Sequence, residues 1–108
     1  MADNGSTRDS EGGIDLLDRP DEKVKLPALY TVFVHNDPYT PREFVVEVLI
    51  RLFQKTKDQA TNIMIQAHTK GMGAVNTYTK EIAEAKANQA NTYARSEGRP
   101  LHFSIQEQ

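Results

Sequence analysis

The chain contains no cysteine. That absence excludes disulfides, thiolate nucleophiles and thiolate metal ligands, and it fits a cytoplasmic location. No run of apolar residues is long enough to cross a bilayer, so no membrane is expected among its partners. The N-terminus carries no basic and apolar leader, so no secretory signal is read there. The formal net charge is -2, and no stretch is basic enough to serve as a nucleic-acid footprint. No internal repeat is visible. The first part of the chain is also short of apolar surface. Among its Asp, Glu, Gly, Ser and Lys residues this surface rests on Ile14, Leu16, Leu17 and Val24. Such a segment cannot bury enough area to offset the entropy of ordering it. Residues 1–28 are therefore expected to be a disordered N-terminal extension, with Ile14-Asp15-Leu16-Leu17 as its one hydrophobic handle. Residues 29–108 are expected to form a single small domain.

What is present is organised around the stretch from Val34 to Phe44. Tyr30 to Val34 is apolar, β-branched and aromatic, which predicts a strand. Asn36-Asp37-Pro38 breaks it. Thr40, Pro41 and Glu43 then read as a helix start with a capping box. From Pro41 to Lys55, the residues Phe44, Val45, Val48, Leu49, Leu52 and Phe53 make one helical face, with Glu43, Glu47, Arg51 and Lys55 toward water. Thr56 and Gln59 predict a second capping box, opening a helix that Gly71 ends. Its stripe is Ala60, Ile63, Met64 and Ala67, with His68 on the same side. Met72 to Tyr78 reads as a strand weakened by Gly73. A third helix runs from Thr79 to Glu97 with a stripe of Ala83, Ala87, Ala90 and Ala94. Gly98 and Pro100 stop it. Leu101, Phe103 and Ile105 alternate with polar residues as a last, half-buried strand. The order β-α-α-β-α-β predicts an α+β domain, with three helices packed on a three-stranded antiparallel sheet.

Asn36 and Asp37 precede the first long helix, and His68 ends the second. If the two helices pack antiparallel, these residues converge as an amide oxygen, a carboxylate and an imidazole. All three can accept hydrogen bonds, which suits a donor-only ammonium group. Val45, Met64 and Ala67 lie beside them, and a polar clamp next to an apolar hole is the composition of a small binding pocket. Other readings stand alongside. Asn-Asp-Pro is an ordinary turn, and a histidine late in a helix can cap carbonyls. His35, Asp37 and His68 lack the spacing of a zinc site. No metal or other cofactor is expected. Asp37 and His68 could be the base and orienter of a small hydrolase, but no nucleophile or oxyanion donor accompanies them. His35 and His102 read as strand residues facing solvent. A generic protein-interaction domain of ribosomal-stalk-like shape would explain the fold without using the polar set.

Tyr30 to Leu101 resembles the ClpS family, the adaptors of the Clp protease system. The likeness rests on Tyr30, Val34-His35-Asn36-Asp37, Tyr39-Thr40-Pro41, Glu43-Phe44-Val45, Met64, His68, Gly71, Glu81, Ala83-Glu84, Lys86 and Pro100-Leu101. It implies an adaptor, not an enzyme, that acts as a monomer on N-degrons, the N-terminal Phe, Tyr, Trp or Leu of substrates. These would pass to a ClpA or ClpC type unfoldase feeding the ClpP protease. By position, Asn36, Asp37 and His68 would hold the substrate's α-amino group. Val45, Met64, Ala67 and Leu101 would wall the side-chain cavity, with Thr40 at its mouth. Glu81 and Lys86 would belong to the face that docks on the unfoldase, and the N-terminal extension would engage its pore. The chain departs from the common family pattern at Pro38, which replaces a second Asp, at Arg42, which replaces a Met gate, and at Ala67, which replaces Val. Arg42 and Ala67 look more like the plastid branch. A wider cavity favouring aromatic side chains over Leu is expected, with the Arg42 stem laid over the rim and its charge in water. The two changes Pro38 and Arg42 make the rim more positive by about two charges, so a basic second residue in the substrate should be less welcome.

Overall fold

Residues 26–108 are described by a computed structural model. The N-terminal extension read from the sequence falls almost wholly outside that range. The elements run β1 (Leu29–His35), α1 (Arg42–Phe53), α2 (Lys57–Lys70), β2 (Met72–Thr79), α3 (Lys80–Ser96) and β3 (His102–Glu107). β1 lies in the middle of the sheet, antiparallel to both neighbours, in the order β2-β1-β3. This is the α+β arrangement that the sequence predicts.

Strand alternation decides which face is covered. Val32, Val34, Val75 and Phe103 are buried together with Phe44, Val45, Val48, Leu49 and Phe53 of α1. A register shift between Val32 and Phe33 places Val75 as the extra residue that β2 turns inward. Phe53 stacks on Phe103 with centroids 5.5 Å apart, and Phe44 on Tyr93 at 5.7 Å. All four alanines of the α3 stripe are buried. With only a methyl at each, α3 can lie close against the sheet. Asn91 of α3 then bonds both backbone groups of Phe103, donating from Nδ2 to its carbonyl at 3.0 Å and accepting its N–H at 2.7 Å. β3 is an edge strand, so Asn91 satisfies groups that would otherwise offer a template for another chain.

The helix ends depart from expectation in two places. The α2 start is as read, with a full Thr56–Gln59 capping box. The α1 start is not, because Thr40 makes no cap hydrogen bond and Pro41 is the cap residue. Thr40 Oγ1 donates instead to the Asp37 carboxylate. α1 also ends at Phe53, before Lys55, because Gln54 turns left-handed at φ 54°. No glycine marks that turn. Lys86 compensates by donating from Nζ to the Leu52 carbonyl at 3.0 Å and to Gln54 Oε1 at 3.4 Å.

On the face opposite the helices, Thr31 and Thr77 hydroxyls meet at 3.1 Å. His35, read as facing solvent, is half-buried there and bonds Ser104 Oγ at 2.6 Å beside the His102 ring, 5.4 Å away. Partial burial, and secondarily repulsion from His102, lower the His35 pKa from its ordinary value of 6.5. The folded chain therefore binds fewer protons here than the unfolded chain. The associated stability is present above pH 6.5 and is lost as pH falls through the lowered value. His35→Gln should flatten the acid side of a melting-temperature profile. An unchanged slope would contradict this assignment.

Candidate functional site

The loop between β1 and α1 is tied to the end of α2. Gly71 takes φ 94°, closes α2, and accepts the Asn36 N–H on its carbonyl at 2.9 Å. A left-handed residue is needed there, and glycine pays no Cβ penalty for it. The contact sets Asn36 and Asp37 beside the last turn of α2, which carries His68.

Asp37 is half-buried and braced from both sides. The buried Thr40 hydroxyl donates to Oδ2, and the Tyr39 N–H donates to Oδ1 at 3.4 Å. An ionised carboxylate has about four lone-pair sites, so these bonds orient it and leave acceptor capacity free. Pro38 fixes the backbone between them and brings no second charge. Arg42 lies at the rim with its side chain exposed to water, and it donates from Nη2 to His68 Nε2 at 2.8 Å. Asp37 is thus bonded to Thr40 and Tyr39, and His68 to Arg42. The Asp–His pair that a hydrolase would need is not made.

These groups surround a cavity of about 260 Å³. Its apolar wall comes from Val45 of α1, Met64 and Ala67 of α2, and Leu101 just ahead of β3. Its polar rim comes from Asn36, Asp37, Thr40, Arg42 and His68. The structure therefore brings into one place every residue that the sequence assigns to the amine clamp or the side-chain pocket. Val34, His35 and Pro38 also line it. Val34 shares the inward face of β1 with Val32, but a strand that is apolar throughout does not show in its sequence which face turns inward. A hole of about 150 Å³ is enough to take benzene, so this one has room for a phenyl or indole group. Glu81 and Lys86 lie on α3 and do not line it. Glu81 is exposed in the first turn, while Lys86 is half-buried against the end of α1. Among the described residues, no three His, Cys, Asp or Glu side chains are placed to hold a metal ion. No helix among them is long and apolar enough to cross a membrane.

Residues 25–104 match the family described as the ATP-dependent Clp protease adaptor protein ClpS. The chain belongs to the ClpS family. It is therefore an adaptor and not an enzyme. The ClpS adapter of Lawsonia intracellularis is 46% identical over 99 residues, covering 92% of this chain and 89% of that one. That of Hyphomonas neptunium is 43% identical over 105 residues, covering 96% and 89%. Among solved structures, Agrobacterium tumefaciens ClpS2 bound to L-phenylalaninamide is similar with a TM-score of 0.75 and 38% identity. The match covers 77% of this chain and all of that one. The cavity and its rim lie wholly inside the stretch that matches the ClpS family.

Proposed function

We propose that this ClpS-family adaptor reads N-degrons. The free α-amino group of a substrate is held by Asn36, Asp37 and His68, and its bulky hydrophobic side chain enters the cavity walled by Val45, Met64, Ala67 and Leu101. The cargo then passes to a ClpA or ClpC type unfoldase with ClpP, docked through a face that includes Glu81 and Lys86. The observation that carries this reading is the braced Asp37 carboxylate at the mouth of a benzyl-sized apolar cavity. The Agrobacterium protein, bound to an amino-acid amide with a free amine and a phenyl ring, supports it.

The energetics suit a carrier that must release its cargo. Burying one aromatic side chain gives about 1.5–3 kcal/mol. Each charge-assisted hydrogen bond to the ammonium gives about 1.5–3 kcal/mol. After association costs, a net of about -8 kcal/mol corresponds to a micromolar dissociation constant.

Fluorescence anisotropy with peptides differing only in the first residue tests the proposal. Phe, Tyr and Trp should bind in the micromolar range, Leu more weakly, and Ala not measurably. Asp37→Ala and His68→Ala should each weaken the Phe peptide. Equal binding of the Phe and Ala peptides would overturn the reading.

A further inference from the structure

A neutral imidazole has a single acceptor nitrogen. In His68 that nitrogen is Nε2, because Arg42 points a guanidinium N–H at it from 2.8 Å and a guanidinium can only donate. The incoming α-ammonium is likewise donor-only. Arg42 and the substrate therefore need the same lone pair, and two cations cannot share it without repulsion. From this we infer that Arg42 is a built-in competitor for the α-amino group. On binding, its guanidinium leaves His68 and faces the substrate's second residue, where an acidic side chain is favoured over a basic one. This rests on the N-degron reading and adds to it a rule for the second position.

The placement of Arg42 makes the exchange easy. It is the first residue of α1, and a cation at a helix N-terminus is disfavoured by the helix dipole. Its partner sits in the last turn of α2, and the hydrogen bond between them is exposed. Arg42 takes part in no ion pair with a carboxylate among the described residues. Once displaced, it is a cation with no carboxylate partner among the described residues, at the rim of the cavity and within reach of whatever follows the N-terminal residue. Asp37, the carboxylate of the same rim, keeps its bonds to Thr40 and Tyr39 and is not needed to restrain the guanidinium.

Arg42→Met keeps the apolar stem and removes both charge and donor. Three otherwise identical free-amine peptides beginning Phe-Gln, Phe-Glu and Phe-Lys are titrated against the wild type and this variant. In the wild type, Phe-Glu should bind more tightly than Phe-Gln, and Phe-Gln more tightly than Phe-Lys. In Arg42→Met, Phe-Gln should tighten about three- to tenfold, the net worth of one hydrogen bond, and the Glu-over-Lys preference should shrink. Nitrogen-15 spectra of the His68 side chain give an independent readout. The free wild type should show the Nδ1–H tautomer, and the Nε2–H form should gain population in the variant. An unchanged or weaker Phe-Gln affinity in Arg42→Met, a Glu-over-Lys preference undiminished in it, or an Nε2–H ring in the free wild type would overturn the inference. If the wild type binds none of the three peptides, it is the N-degron reading itself that fails.

Discussion

Acetylating the α-amine of a Phe-initiated peptide should weaken its binding about a hundred- to ten-thousandfold. Acetylation removes the positive charge and leaves one neutral N–H where the ammonium had three donors. Two charge-assisted hydrogen bonds lost, at about 1.5–3 kcal/mol each, account for that range. What remains is the benzyl group in the cavity, worth about 1.5–3 kcal/mol, which is less than the cost of association. The hydrophobic hole cannot hold a peptide unaided. Asp37→Asn should reproduce part of the loss. It keeps an acceptor for the Thr40 hydroxyl but removes the formal charge that faces the amine. Anisotropy with paired acetylated and free peptides measures both effects, and acetylated binding within a few-fold of the free peptide would rule out an amine clamp.

Gly73→Ala should cost both stability and binding. A Cβ at Gly73 would stand 2.6 Å from the Ile63 carbonyl oxygen, 3.2 Å from Ile63 Cγ2 and 3.3 Å from the Ala67 amide nitrogen. The nearest atom belongs to the α2 backbone, which cannot rotate away as a side-chain tip can. α2 must lift from β2, at about 1–3 kcal/mol. For a domain of this size, each kcal/mol is worth about 4–8 °C, so the melting temperature should fall by about 5–20 °C. α2 also carries Met64, Ala67 and His68, so the same displacement moves one wall of the cavity and one arm of the rim. Below the new melting temperature, Phe-peptide affinity should still be reduced. A variant that melts and binds like the wild type would contradict the close approach of α2 to β2.

Gly73 has a cause that lies outside its own strand. A glycine weakens the case for a strand, yet it stands there because α2, the helix just before β2, folds back on the strand and leaves no room for a methyl. Patterns that repeat locally were legible. The α1 face, the Thr56–Gln59 box, the alanine stripe of α3 and the alternation of β3 all follow from spacing within one element. What escaped depends on partners far away in sequence or on a choice between two local partners. Thr40 can cap α1 or bond Asp37, both three residues or fewer from it, and spacing alone does not decide between them. Gln54 takes a left-handed turn that its residue type does not advertise. Asn91 finds the backbone of Phe103, and Arg42 finds His68, only once helices and strands are docked. The cavity was legible in two stages. Asn36, Asp37, His68, Val45, Met64 and Ala67 came from helix geometry, while Thr40, Arg42 and Leu101 needed the resemblance to the ClpS family.

The most direct test is a backbone amide NMR titration of the chain with L-phenylalaninamide, with N-acetyl-L-phenylalaninamide as the control. The free-amine compound should shift Asn36, Asp37, Val45, Ala67, His68 and Leu101, and the acetylated one should leave them in place. Shifts centred on the exposed side of α3, or the same shifts from both compounds, would contradict the claim that this rim grips a charged amine above an apolar hole.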